Sequence, residues 1–149
     1  MRIISLLPSA TDIIAELGLL DWVVGVSDDC NWPPEAAQKP LVARTRIDVS
    51  SLTSARIEEL VSSSASDGHS LYAVDSKLID TLKPDLLITQ DLCAVCAVSS
   101  DDLSTACPVG AEVWSMNPSR FDDVVESVIA LADRLGVPER GAALAGTMR

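Results

Sequence analysis

The sequence contains few aromatic residues, few basic residues and a single histidine. Its 149 residues include three Trp, one Tyr and one Phe, so the hydrophobic core must consist mainly of aliphatic side chains. Eleven Lys and Arg stand against 22 Asp and Glu, which gives a formal net charge of −11. Such an acidic chain repels phosphate backbones and anionic lipid surfaces. We therefore expect no nucleic acid among its partners.

Long apolar runs are also missing. No run reaches the roughly 18–20 residues that a membrane-spanning helix requires, and the first residues, Met1 to Pro8, do not have the pattern of a signal peptide. We expect no membrane insertion and a cytoplasmic location, or a periplasmic or extracellular one if a leader has been removed. In a cytoplasmic protein the four cysteines are expected to be thiols or ligands rather than disulfides.

Signatures of cofactor binding and catalysis are absent as well. The sequence has neither G-x-G-x-x-G nor G-x-x-x-x-G-K-[ST], which argues against a dinucleotide or NTP site. The lone histidine, His69, lies beside a serine-rich stretch, and a Ser-His-Asp triad would have to depend on that residue alone. We therefore predict a protein that is not an enzyme and to which no cofactor is firmly assigned.

Apolar residues make up 48% of the chain, which is sufficient for the core of one domain. Short apolar runs alternate with segments in which apolar residues recur at helical spacing. This alternation predicts an α/β fold, a three-layer open parallel sheet with helices on both faces. The predicted strands cover residues 3–7, 22–26, 41–43, 86–89 and 112–116.

Two serines indicate where helices begin. Ser9 and Ser119 precede Asp12 and Asp122 by three residues, a spacing that resembles a capping box. Three further helices are predicted. The first starts at Ser54 and ends before the serine-rich stretch 62–68, the second covers residues 74–82, and the third starts at Pro138.

In an open parallel sheet, ligands bind outside the carboxyl ends of the strands. The loops that follow the predicted strands are rich in polar residues. Trp32 precedes two prolines and could offer a flat surface to a planar ligand, or could instead cover the end of the sheet. Ser9 could act only as a helix cap. The candidate ligand-binding residues are Ser9, Thr11, Asp29, Trp32, Arg44, Gln90, Asp91, Cys93 and Asn117.

Cys93 and Cys96 form a C-x-x-C motif in a loop after a predicted strand. This spacing suits a metal site, a redox pair or a thiol that faces a ligand, and ordinary packing is a further alternative. A structural zinc needs four ligands, and the sequence has no second C-x-x-C. Cys93 and Cys96 are therefore candidate metal ligands, and only Cys30, Cys107 and His69 could complete the set.

Several segments resemble the cobalamin- and iron-siderophore-binding proteins of ABC importers. They are the run from Ile3 to Asp12, Gly18, the run from Gly25 to Ser27, Pro33 with Pro34, and the run from Lys83 to Thr89. The segment from Gln90 to Val98 is similar to a branch of that family without signal peptides. The resemblance covers the chain from Ile3 to about Gly136.

The resemblance implies a periplasmic-binding-protein-like fold, in which two α/β lobes joined by one long helix hold a ligand between them. Residues 1–136 would then form the N-terminal lobe, and residues 137–149 would begin the connecting helix. The second lobe is absent from this sequence, and a homodimer partner is the alternative. The implied function is non-enzymatic binding of a corrinoid such as cobalamin. An iron siderophore, or a cytosolic thiol or metal site at Cys93 and Cys96, is the alternative.

One position differs from the pattern of the importer proteins. Those proteins commonly carry a Glu seven residues before the Pro of the Lys-Pro-Asp signature and use it to dock on permease arginines. This sequence has Lys77 at that position. The reversed charge argues against an ABC permease as a partner.

Overall fold

The computed structural model describes residues 1–46, 52–66, 71–91, 98, 99, 103, 108 and 110–148. Within these residues the chain forms one sheet of six strands, with the spatial order β4-β3-β2-β1-β5-β6. Every neighbouring pair is parallel except β3 and β4, which are antiparallel. The strands are β1 (Ile3–Ser5), β2 (Val23–Ser27), β3 (Leu41–Thr45), β4 (Tyr72–Val74), β5 (Leu86–Thr89) and β6 (Glu112–Ser115).

Five α-helices connect or follow the strands in the same described part of the chain. They are α1 (Pro8–Glu16), α2 (Ser54–Ser66), α3 (Ser76–Leu82), α4 (Phe121–Arg134) and α5 (Pro138–Thr147). Short 3₁₀ turns cover Leu20–Trp22 and Ala36–Gln38.

The core lies in two layers, one on each face of the sheet. Adjacent residues of a strand point to opposite faces, so Ile3 and Ile4 belong to different clusters. Ile3 packs with Ile14 of α1 and Leu131 of α4. Ile4 packs with Ile79 of α3 on the other face. This arrangement confirms the predicted α/β fold with helices on both faces.

The edge strand β4 corrects the sequence prediction. Val74 was assigned to the start of a helix, because it falls at helical spacing with the apolar residues that follow. In the structure Val74 ends β4, and α3 begins only after Asp75, whose carboxylate caps the helix by accepting from the Leu78 N–H at 3.0 Å. The sheet is therefore mostly rather than entirely parallel. The serine-rich stretch does not end α2 at residue 62 as predicted, since the helix continues to Ser66, while residues 67 and 68 lie outside the described residues.

The two predicted capping boxes have different outcomes. At α1 the prediction was wrong, because Pro8 already occupies the first turn and Leu7 is the N-cap residue. At α4 the box lies one residue later than predicted, because the N-cap residue is Arg120 rather than Ser119 and the acid is Asp123 rather than Asp122. The Asp123 carboxylate accepts hydrogen bonds from the backbone N–H groups of Ser119 and Arg120 at 3.0 and 2.9 Å.

The last helix begins at Pro138, as the sequence predicts, and packs against α4. Gly141 lies so close to α4 that a Cβ atom there would be 2.2 Å from the Cβ of Ala132. Arg140 fixes the same helix to α1 by donating from Nη1 to the Leu17 carbonyl at 2.8 Å. The division into a lobe of residues 1–136 and a connecting helix from 137 stays a prediction.

Candidate functional site

The carboxyl ends of the parallel strands form one edge of the sheet, and each of these strands ends on Ser or Thr. The five residues are Ser5, Ser27, Thr45, Thr89 and Ser115. We call this the hydroxyl edge. β4 runs in the opposite direction, so its first residue, Tyr72, lies at the same edge. The loops that could contact a ligand therefore emerge from a row of hydroxyl groups.

Buried hydroxyls fix the loops after β1 and β2. Thr11 is fully buried, and its hydroxyl donates to the Ser5 hydroxyl at 2.8 Å. The Cys30 thiol lies 3.2 Å from the Ser27 hydroxyl and 3.6 Å from the Ser5 carbonyl oxygen. Thr11 thus lies beneath the edge rather than on its surface, where it holds α1 against β1.

Cys30 is a buried thiol in this environment. Its side chain is 1% exposed. Burial raises the pKa of the Cys30 thiol, because the charged thiolate loses its hydration, although hydrogen bonds from Ser27 oppose this effect. The residue therefore acts as an anchor for the loop that carries Asp29 and Trp32.

Two neighbouring aspartates tie the loop after β2 to the outer strands. Asp28 accepts a hydrogen bond from the backbone N–H of Thr45 at 2.8 Å. Asp29 is exposed and accepts from the phenol of Tyr72 at 3.0 Å. Arg46 in turn donates from Nε to the Tyr72 carbonyl at 3.0 Å. Both carboxylates are thus fixed at the hydroxyl edge, and the Asp29 carboxylate remains open to solvent.

Among the residues that the structure describes, Trp32 is the most exposed large apolar residue. Its side chain is 62% exposed, so it does not cover the end of the sheet. An indole in this position presents a flat apolar surface in the same loop as Asp29.

A second polar group lies at the ends of β5 and β6. The Asp91 carboxylate accepts from the Ser115 hydroxyl at 2.5 Å, and the Asp91 N–H donates to the Asn117 amide oxygen at 2.7 Å. Gln90 is half-buried next to Asp91. Two of the predicted site residues, Asp91 and Asn117, are therefore in direct contact.

Only β1 separates β2 from β5 in the sheet, so the loops of Asp29 and Asp91 start about 10 Å apart. Ser9 is exposed in the first turn of α1, above β1. Ser9, Asp29, Trp32 and Asp91 therefore lie on loops or turns of one sheet edge.

Arg44 does not join these residues. It lies within β3 rather than after it, and it lines a separate groove with residues of β4 and α3. Cys93 and Cys96 lie outside the described residues. Within the described residues, no cluster of three His, Cys, Asp or Glu side chains could hold a metal ion.

Sequence reasoning missed Tyr72 and Ser115, which position Asp29 and Asp91. Ser115 had a detectable signal, because it is a polar residue near the end of a predicted strand. Tyr72 had none, since its partner is 43 residues away in the sequence and its strand was not predicted.

Searches with this chain found likeness in structure but not in sequence. No protein-family model and no curated protein sequence matches it significantly. Among solved structures, the periplasmic vitamin B12-binding protein BtuF of Vibrio cholerae matches with a TM-score of 0.69 and 25% identity. That match covers 99% of this chain and 46% of BtuF.

Two heme-binding proteins are similar to the same extent. A periplasmic heme-binding protein from Pseudomonas aeruginosa matches with a TM-score of 0.69 and 20% identity, over 97% of this chain and 41% of its own length. The periplasmic heme-binding protein RhuT from Roseiflexus sp. RS-1 matches with a TM-score of 0.67 and 24% identity, over 97% of this chain and 44% of RhuT.

This chain has the periplasmic-binding-protein-like fold. The resemblance inferred from the sequence is thereby confirmed at the level of fold. The chain spans less than half the length of each of these neighbours. Among the described helices, none is both long enough and apolar enough to cross a membrane.

Proposed function

We propose that this chain forms one wall of a binding site for a corrinoid and that it acts without catalysis. The observation that carries the proposal is the likeness, over nearly the whole chain, to proteins named for binding vitamin B12 or heme. These ligands are both metal complexes of a flat macrocycle. The hydroxyl edge offers a compatible surface, because its loops carry both an exposed indole and exposed hydrogen-bonding carboxylates.

Electrostatics favours a corrinoid over heme. The periphery of cobalamin carries amides, which donate hydrogen bonds to carboxylates, whereas heme carries propionates, which carboxylates repel. Asp29 and Asp91 are exposed at the hydroxyl edge, and the chain as a whole has a formal charge of −11. An anionic ligand is therefore disfavoured at the hydroxyl edge, where the local carboxylates add to the effect of the overall charge.

A second wall is part of the proposal. A ligand of this size is normally buried on most sides when it is bound tightly. The chain covers 41–46% of the lengths of the three structural neighbours described above, which supports a second lobe or a second copy of this chain on the other side of the ligand. Residues 137–149 would begin the connection to such a lobe.

Titration with hydroxocobalamin tests the function. We expect a saturable change in its visible spectrum, with a dissociation constant below about 1 mM, equivalent to about −4 kcal/mol. Hemin, titrated in parallel, should bind at least about tenfold more weakly. If neither compound gives a saturable change, the proposed function is wrong; tighter binding of hemin would overturn the corrinoid assignment alone.

Matched variants locate the binding surface. Trp32→Ala should weaken hydroxocobalamin binding by about tenfold, the loss expected for one stacked aromatic contact. Phe121→Ala is the control, because Phe121 is equally exposed at 61% but follows the outermost strand β6, three strand positions away from β2 in the sheet. Equal effects of the two substitutions would contradict a site at Trp32.

The remaining alternatives are outcomes of the same measurements. Saturable binding of ferrichrome without binding of hydroxocobalamin would indicate an iron siderophore. Zinc or iron in the purified protein, lost in Cys93→Ser and Cys96→Ser, would indicate a metal site. Two expectations from the sequence stay predictions: the cytoplasmic location, and the view that an ABC permease is not a partner.

A further inference from the structure

A second concave surface lies away from the hydroxyl edge and has a different charge. It is a groove of about 630 Å³ between β3, the edge strand β4 and the start of α3. Its lining consists of Leu41, Val42, Arg44, Ala73, Val74, Asp75, Ser76, Lys77 and Leu78. This volume is within the range of small-molecule sites.

Two cationic side chains meet at this groove. Arg44 comes from β3 and Lys77 from the first turn of α3, and both are exposed. Neither side chain makes a hydrogen bond or an ion pair with the residues that the structure describes. Other arginines of the chain are occupied, for example Arg56 by Glu59 and Arg134 by Glu112.

The one acid of the lining does not neutralise this pair. Asp75 uses a carboxylate oxygen to accept the Leu78 N–H at 3.0 Å, which caps α3. Two cations thus outnumber one carboxylate in a chain whose acids outnumber its basic residues two to one. The lining thus has a formal charge of +1 in a chain whose formal net charge is −11.

The pairing of β3 with β4 places a small residue next to Arg44. Arg44 pairs directly with Ala73 across the two strands, so both side chains lie on the same face of the sheet. Ala73 is exposed and its methyl group is small, which leaves the space beside the guanidinium open. The Ser76 hydroxyl adds a further hydrogen-bonding group to the lining.

We propose that this groove binds a small organic anion, whose carboxylate or phosphate groups are held by Arg44 and Lys77. A guanidinium pairs with such groups through two parallel hydrogen bonds, and an ammonium adds a mobile point charge. The site is independent of the proposed corrinoid surface, since Arg44 is absent from that surface and none of the residues of the hydroxyl edge named above lines the groove.

Two probes test the site on the 149-residue chain: citrate for carboxylates and inorganic pyrophosphate for phosphates. We expect at least one of them to cause saturable NMR shifts of the amides of residues 73–78, with a dissociation constant of about 1 mM or lower at low salt. Glucose should cause none. Binding should weaken as ionic strength rises, because salt screens the two exposed cations.

Three variants should each weaken binding by about tenfold or more. Arg44→Gln and Lys77→Gln each remove one charged contact. Ala73→Leu keeps every charge and fills the space beside the guanidinium. Arg120→Gln is the control, because Arg120 is also exposed but lies beyond β6, at the opposite edge of the sheet. Its affinity for the probe should stay within about twofold of the unaltered chain.

Three results would overturn the proposal. Absence of saturable shifts for both probes excludes an anion site. Equal weakening by Arg120→Gln shows diffuse attraction to basic residues rather than a site. Binding of a glutamate-rich peptide without binding of either small probe makes the groove a protein-docking surface, and the small-anion proposal is then wrong.

Discussion

A hydrogen bond joins Tyr72 to Asp29, although the two residues are 43 positions apart in the sequence. The phenol donates to the exposed carboxylate at 3.0 Å, and Tyr72 itself is 7% exposed. The edge strand β4 thereby fixes the orientation of the Asp29 carboxylate, which lies in the loop after β2. The proposed ligand surface depends on this contact, because Asp29 and Trp32 share one short loop.

Tyr72→Phe should destabilise the fold by about 1 kcal/mol, the usual net contribution of a hydrogen bond. Urea unfolding of Tyr72→Phe, Asp29→Ala and the double variant measures the coupling between the two side chains. We expect a coupling energy of about 0.5–1.5 kcal/mol. A coupling near zero would show that the hydrogen bond does not hold the loop.

The buried thiol of Cys30 should resist alkylation in the native protein. Substitution of Cys93, Cys96 and Cys107 by Ser leaves Cys30 as the only reporter. At neutral pH its reaction with iodoacetamide should be about a hundredfold slower than in urea, because the thiol is 1% exposed and must be released by opening of the loop. Equal rates in the two conditions would contradict the buried position.

Because of the same thiol, we expect the free energy of unfolding to fall at alkaline pH. Its pKa is raised in the folded state, so below the usual value of 9.0 the thiol is protonated in both states. Above that value the unfolded thiol ionises first, and the free energy of unfolding falls as the pH rises towards the higher folded pKa. Cys30→Ala should show a shallower decline between pH 9 and 10.5 in parallel urea titrations.

Asp123 should make the stability of the fold depend on pH at the acidic end of the range. Hydrogen bonds from the Ser119 backbone and hydroxyl and from the Arg120 backbone lower the pKa of its carboxyl below the usual 3.8. Its stabilising effect is therefore present above 3.8 and disappears as the pH falls through the lower folded value. Asp123→Asn should lower Tm at pH 7 but not at the acidic end. Asp122→Asn, on the same turn, should change Tm little at either pH.

Two glycines of α5 should respond in opposite ways to alanine. Gly141→Ala should cost about 1–3 kcal/mol, because the new Cβ would lie 2.2 Å from that of Ala132 and would push α5 away from α4. Gly146→Ala should be neutral or stabilising by up to about 1 kcal/mol, since no heavy atom lies within 4 Å of its added Cβ. Thermal unfolding followed by circular dichroism measures both. A stable Gly141→Ala protein would mean that α5 is not packed as described.

The sequence predicts those elements whose residues carry a strong local pattern. The run from Leu86 to Thr89 forms β5 with the expected bounds, and the apolar stripe from Phe121 onwards forms α4. β4 has only three residues, and the helical spacing of Val74 with α3 concealed it. Strand pairing alone gives this short segment its structure.

The candidate site was predictable in position but not in its contacts. The rule that ligands bind at the carboxyl ends of strands placed Asp29, Trp32, Asp91 and Asn117 at one edge. The contact between Asp91 and Asn117 depends on the pairing of β5 with β6, which no local pattern specifies. Arg44 was assigned to the same edge because β3 was predicted two residues too short.

The position of β1 in the middle of the sheet affects how the chain is assembled on the ribosome. Ile4 pairs with Leu87 of β5 on one side and with Gly25 of β2 on the other. While the polypeptide is being synthesised, one flank of β1 stays open until β5 has left the exit tunnel. A nascent chain halted before Leu86 therefore exposes an apolar, unpaired strand edge, which is the kind of surface that chaperones bind and that aggregates when it is left uncovered.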